Sequence, residues 1–304
     1  MINREPRAQA RRAGATLAAV ALAACGLAAC SSSGAPAAGG TQGRPGALQE
    51  ILTAPKGLRA ATEPQPNGTL WALAGSSASQ ALFEFNLSSS QRPVGVRPVS
   101  ATAQSVAESL SGVIGLALGT GRSGALELLD GTTGTPSSVI PIGAPARQVV
   151  VGSDGSTFYV LDGTATSSSV TIIDSQDGRI LGTVPVPLDT TSVVPDVQET
   201  TIYALQPNGV VSQIALADGQ VETSFQTGGE AKSIALSPDG GTLYVLKGPM
   251  TEPNVAVVDV ATQSVSKVLP APANCLQILV SANGDQLYQM VGTAGYGNIQ
   301  VFAS

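Results

Sequence analysis

One hydrophobic tetrad recurs six times at nearly constant spacing, and it constrains the fold more than any other feature. It reads Leu70-Trp71-Ala72-Leu73, Ile114-Gly115-Leu116-Ala117, Phe158-Tyr159-Val160-Leu161, Ile202-Tyr203-Ala204-Leu205, Leu243-Tyr244-Val245-Leu246 and Leu287-Tyr288-Gln289-Met290. The second residues fall at 71, 115, 159, 203, 244 and 288, spaced 44, 44, 44, 41 and 44. A period of about 40 to 50 residues belongs to propellers and solenoids, whose units cannot bury an apolar face alone and must stack on neighbours.

The fullest unit, residues 229–272, contains four strand-like runs, at 232–236, 242–246, 254–258 and 265–269. Ser237-Pro238-Asp239-Gly240 marks the first turn. Four short strands per unit is the make-up of a propeller blade. Gly (35 residues) and Pro (20 residues) are abundant, which favours short strands joined by turns over helices. The run Ser237-Pro238-Asp239-Gly240-Gly241-Thr242-Leu243-Tyr244-Val245 resembles the YVTN-type propeller repeat of surface-layer-like and lactonase-like proteins, and a weaker likeness spans residues 56–304. The family's Asn after Tyr-Val-X is replaced by Ala74, Asp162, Gln206 and Lys247, and Gly115 stands where an aromatic is expected. The family more often has seven blades; this chain has six repeats.

The fold expected is therefore all-β: a propeller of six four-stranded blades. The last repeat ends at Ser304, just after its third strand. Residues 47–55, Ala-Leu-Gln-Glu-Ile-Leu-Thr-Ala-Pro, match the fourth strand of the preceding unit, Ser264 to Pro272, at an offset of 217 residues, and Trp71 and Tyr288 share that offset. An N-terminal strand over residues 48–52 is expected to complete the last blade and close the ring, removing an open sheet edge. The propeller domain is thus expected to span 47–304.

The first residues read as an address. Arg4, Arg7, Arg11 and Arg12 precede an uncharged Ala- and Leu-rich run from Ala13 to Ala29. Two tetrads, Leu22-Ala23-Ala24-Cys25 and Leu27-Ala28-Ala29-Cys30, resemble the lipobox of bacterial lipoprotein signals. Residues 1–29 are read as the signal peptide and Cys30 as the lipidated residue, because polar Ser31-Ser32-Ser33-Gly34 follows it directly; Cys25 is the alternative. A retained spanning helix is the competing reading, and the uncharged run is short for one. Residues 30–46 make a flexible tether. Removing residues 1–29 takes away four arginines and one glutamate, leaving 11 basic and 20 acidic residues, a net charge of −9. So acidic a domain is repelled by anionic lipid and by nucleic-acid phosphates, so the partner expected is the membrane, through the lipid, at the extracytoplasmic face, with no nucleic acid.

The chain contains no histidine. Ser-His-Asp and Cys-His mechanisms and His-ligated metal sites are excluded on that ground. No cofactor or metal is expected, and Cys275, in an innermost-strand context, reads as a buried inert thiol. Asn67, Asp154, Asp239 and Asn283 belong to Gly-containing turns, while Asp130, Asp174 and Asp259 close third strands. Twelve residues before each repeat anchor stand Arg59, Ala103, Arg147, Thr191, Lys232 and Leu276. Arg59, Arg147 and Lys232, with Arg122 from the loop 119–124, form the candidate site, a ring of positive charge for an anionic small ligand; solvated strand ends are the plainer reading. The function expected is a membrane-anchored binding or assembly module that engages an envelope protein or an anionic ligand, without catalysis. The alternative implied by the family resemblance is a lactonase-like or sugar-derivative hydrolase using channel carboxylates, which two or more facing acids would favour.

Overall fold

The computed structural model describes residues 46–304. These residues form six four-stranded antiparallel sheets. From the axis outwards, blade 1 consists of Leu58–Ala61, Thr69–Ser76, Ser79–Asn86 and Gly95–Val99, and blade 2 of Ala103–Glu108, Val113–Thr120, Ser123–Asp130 and Pro136–Ile142. Blade 3 is Ala146–Val151, Thr157–Gly163, Ser168–Asp174 and Ile180–Pro185; blade 4 is Ser192–Pro195, Thr201–Leu205, Val210–Ala215 and Val221–Gln226. Blade 5 is Ala231–Leu236, Thr242–Lys247, Asn254–Asp259 and Ser264–Pro270. Blade 6 takes Cys275–Val280, Gln286–Gly292 and Gly297–Ala303 from the C-terminus, and its outer strand, Leu48–Ala54, from the far end of the chain. The ring therefore closes as the repeat arithmetic requires, with Leu52 opposite Ile299 and Ala54 opposite Gly297.

The core consists of six separate apolar seams, each between two adjacent blades. The anchors Trp71, Tyr159, Tyr203, Tyr244 and Tyr288 are all buried in them. Gly115 lacks a side chain for a local reason. A Cβ there would lie 3.2 Å from the ring of Phe158 and 3.3 Å from Leu126 Cδ1, so Phe158 of blade 3 occupies the room that an aromatic of blade 2 would need. The single 41-residue spacing lies in blade 4, where the hairpin of the second and third strands closes from Thr201 to Ala215, shorter than the equivalent Thr157 to Asp174 of blade 3.

A second, polar device joins the blades nearest the axis. The backbone N–H of Val149 donates to Ser105 Oγ of blade 2 at 3.2 Å, and that of Val193 to Gln148 Oε1 of blade 3 at 2.8 Å. Ile234 N–H donates to Ser192 Oγ and Ile278 N–H to Ser233 Oγ, both at 3.3 Å, and Ala61 N–H to Gln277 Oε1 at 3.0 Å. Each inner strand would otherwise bury a donor that no ladder satisfies. Five seams are bridged in this way. At the sixth, between blades 1 and 2, Ala60 holds the equivalent place and offers no acceptor to Val106. There Arg97 lies 4.6 Å above the Trp71 ring and donates to the carbonyls of Gly131 (2.7 Å) and Thr132 (3.0 Å) of blade 2.

Candidate functional site

All inner strands run the same way, so the propeller has a hairpin end, where they begin, and a turn end, where they finish. The pairing slips by one residue near the start of five inner strands, at Leu58/Ala60, Ala103/Ser105, Ala146/Gln148, Ala231/Ser233 and Cys275/Gln277. The bulged residues are Arg59, Gln104, Arg147, Lys232 and Leu276. A bulge leaves its extra residue unpaired and re-aims the side chain. In blade 2 the turn after the inner strand is one residue shorter, so Gln104 and not Ala103 occupies the column read from the repeat; that assignment is corrected.

The four candidate cations share this end of the ring but are engaged separately. Arg59 and Arg122 are exposed. Arg147 donates to Ser168 Oγ at 3.0 Å and to the Asp162 carbonyl at 3.5 Å, within its own blade. Lys232 Nζ donates to the Gly248 carbonyl and lies 3.5 Å from Glu230 Oε1.

The large cavity opens at the other end. It measures about 480 Å³ and is walled by the segments that follow all six inner strands. Its charged lining consists of Glu63, Glu108, Asp154 and Asp196, one from each of blades 1 to 4, and no lysine or arginine lines it. Proline and aliphatic side chains, among them Leu110, Val194, Val197 and Val280, make up much of the wall. Beneath it the inner strands close to a void of about 30 Å³ walled by valine, isoleucine and leucine together with Glu63, Glu108, Gln148 and Gln277. That space is about the size of one water molecule, so the axis narrows to a tight waist of mixed polar and aliphatic lining.

The four acids differ in what their carboxylates do. Asp154 accepts from the Ser156 N–H at 2.8 Å and its hydroxyl at 2.9 Å, which hold its pKa below the usual carboxylate range. Asp196 caps its turn by accepting from the Thr200 and Thr201 N–H groups at 2.7 and 2.9 Å. Glu199, behind them, accepts from the Tyr159 hydroxyl at 2.8 Å. Glu108 is buried at the seam of blades 1 and 2, where desolvation pushes its pKa up to about 7. The Trp71 indole N–H partly offsets this without making a full hydrogen bond, and Glu108's charged neighbours are Glu84 and Arg97. Glu63 keeps contact with water inside the lumen, yet the blades crowd around it closely enough that desolvation pushes its pKa up to about 7 as well.

The remaining sequence expectations about polar residues are met by turn geometry. Asn67, Asp130, Asp174, Asp239, Asp259 and Asn283 each accept from a nearby backbone N–H. Burial pushes the Cys275 thiol up to about 12, so at neutral pH it is not a nucleophile. The acidic mouth was missed because only Glu108 and Asp196 share a distance from their repeat anchors, while Glu63 and Asp154 each stand at another, so a search by column does not gather the four. Cys25, Cys30 and the leader lie outside the described residues.

Among solved structures, the hydrazine synthase of Kuenenia stuttgartiensis is similar to this chain, with a TM-score of 0.62 at 15% identity over 81% of this chain and 83% of that one. The chain is a six-bladed β-propeller. At that identity the likeness shows the fold alone. No family model and no curated protein matches the sequence, so the YVTN resemblance rests on its motif.

Proposed function

We propose that this propeller is an exported lipoprotein of the YVTN-repeat type, acting as a binding or assembly module at the cell envelope. The observation that carries the binding role is the cavity of about 480 Å³ at the turn end, which narrows beneath to a void of about 30 Å³. Its acids do not work as a pair: two cap turns, Glu108 is drawn into a blade seam, and Glu63 alone keeps a carboxylate without a hydrogen-bond partner in the lumen. A hydrolase of the two-carboxylate kind needs both groups on one substrate. Lipid anchoring is supported by the two lipobox-like tetrads and by the first strand, which begins at Leu48, where the tether from Cys30 ends.

The test is a crosslinking pull-down of the full chain from its native envelope, with palmitate labelling of the Cys30→Ala and Cys25→Ala variants. A reproducible partner and labelling lost with Cys30→Ala are expected. Absence of any partner defeats the module reading, and labelling that survives both substitutions defeats the anchor. Loss of the partner on replacing Arg59, Arg147 and Lys232 together would assign binding to the hairpin end.

A further inference from the structure

The seam between blades 1 and 2 differs from the other five, and a carboxyl group lies inside it. The other inner strands meet through a serine or a glutamine. Here Ala60 takes that place, and two longer contacts cross the seam instead. Arg97, from the outer strand of blade 1, donates to the Gly131 and Thr132 carbonyls of blade 2 while its guanidinium lies over the Trp71 ring. Gln65 of blade 1 donates through Nε2 to the Glu108 carbonyl at 3.3 Å. Between these contacts enters the Glu108 side chain, 6% exposed, from the inner strand of blade 2. Its Oε2 has no hydrogen-bond partner, and its Oε1 would lie 3.6 Å from a Cβ on Gly131, the residue whose carbonyl Arg97 holds. A carboxyl and a guanidinium thus converge on one residue without pairing, and the ion-pair partner of Arg97 is Glu84 at 3.7 Å. The charged groups around Glu108 are Arg97 and Glu84 of blade 1, Asp130, which feels Arg97 but accepts from Thr133, and Glu63 at the lumen.

An ionised carboxylate inside such a seam is costly unless it finds a cation or water. Arg97 is the cation at hand, but turning towards Glu108 means leaving the carbonyls of Gly131 and Thr132, the bonds that tie blade 1 to blade 2. We propose that this seam is a proton-operated joint, closed while Glu108 is protonated and loosened when it ionises, as water enters or Arg97 is drawn off blade 2. The lips on both sides of the joint belong to the turn-end mouth: Glu63, Pro64, Gln65 and Pro66 come from blade 1, Glu108 and Leu110 from blade 2. Loosening therefore widens the cavity on this side, while the other five seams are bridged by serine and glutamine, which do not titrate. In the closed seam desolvation holds the Glu108 pKa at about 7, against 4.5 for the free group. Opening thus becomes more frequent as the pH rises from 4.5 to 7 and levels off above 7. The joint goes beyond the binding-module reading and does not depend on what the mouth binds.

The experiment is hydrogen exchange of the full chain, in detergent, read by mass spectrometry at pH 5 and pH 8 and expressed as protection factors, which remove the intrinsic pH dependence of exchange. Peptides covering residues 62–71 and 105–114 report the joint; those covering 146–151 and 192–195 report the bridged seam of blades 3 and 4. Protection at the joint is expected to fall about tenfold or more between pH 5 and pH 8, while that at the bridged seam holds. Glu108→Gln, which cannot ionise, should remove the fall, and Glu63→Gln, which leaves Glu108 in place, should keep it. Should Glu108→Gln fail to fold, the contrast between the two seams of the parent still decides. Equal protection at both pH values, an equal fall at both seams, a fall that survives Glu108→Gln, or one that disappears in Glu63→Gln overturns the proposal. A joint that does not respond to pH while a reproducible envelope partner is recovered leaves the module reading standing and removes the joint.

Discussion

The seam between blades 1 and 2 offers a controlled test of what the polar ring around the axis contributes. Ala60→Ser places a hydroxyl where Ser105 stands in the next blade, within reach of Val106 as Ser105 is of Val149. The site is 5% exposed, so an added hydroxyl either finds that donor or lies buried without one. If the bond forms, the gain is about 0.5–1.5 kcal/mol; an unpartnered hydroxyl costs about 1–3 kcal/mol. The sign of the change therefore decides the question. For a domain of this size 1 kcal/mol moves the melting temperature by about 2–4 °C. Calorimetric melts of Ala60→Ser are expected to rise by a few degrees. The reverse change, Ser105→Ala, strips an acceptor from a buried N–H and is expected to lower the melting temperature by several degrees. A lower Tm for Ala60→Ser, or an unchanged one for Ser105→Ala, would refute the view that these contacts hold the blades together.

Three other outcomes follow from the packing. Neighbouring residues of the closing strand point to opposite faces, so Leu52→Ala, fully buried, should cost about 2–5 kcal/mol while Ile51→Ala, 44% exposed, stays within about 0.5 kcal/mol; denaturant titration separates them. Gly115→Ala should cost about 1–3 kcal/mol by pressing on the Phe158 ring, and Phe158→Leu in the same chain should recover part of that loss, a coupling readable in a double-mutant cycle. Glu108 has a folded pKa near 7, above its usual value of 4.5, so it favours the protonated form and its contribution to stability is lost as the pH rises from about 4.5 through 7. Glu108→Gln should therefore raise the melting temperature at pH 8 and change it little at pH 4; a uniform shift at both would contradict the assignment.

Much of the architecture was legible because its causes are periodic. The tetrad that marks the second strand of each blade is buried on both faces, so it stays largely apolar in the repeats, Gln289 excepted, and survives even the loss of the aromatic at Gly115. The closing strand was legible for the same reason, since Leu52 and Ala54 do in blade 6 what Leu269 and Ala271 do in and beside the outer strand of blade 5. The candidate site was less legible. The column of Arg59, Arg147 and Lys232 does mark one structural place, the bulge, but a bulge turns its side chain towards its own blade as readily as towards an axis, as the Ser168 and Gly248 contacts show. One deleted residue in the turn of blade 2 moved Gln104 into that column. The mouth is built from turn segments whose lengths and sequences differ from blade to blade, and of its four acids only Glu108 and Asp196 share a place relative to their repeat anchors. The room left for Phe158 is likewise a contact between repeats, and a comparison of repeats with one another cannot reveal it.

The outer strand of blade 6 carries a consequence for the order in which this molecule can be made. Leu48–Ala54 is among the first parts of the domain to leave the ribosome, and its partner, Gly297–Ala303, is the last. Blades 1 to 5 are each complete as soon as their own stretch of chain is available, but blade 6 waits for the final residues. Until then the leading strand has no sheet to join, and the seams on either side of blade 6 stay open. Trimming a few residues from either end of the propeller, at Leu48 or at Ala303, undoes the same joint.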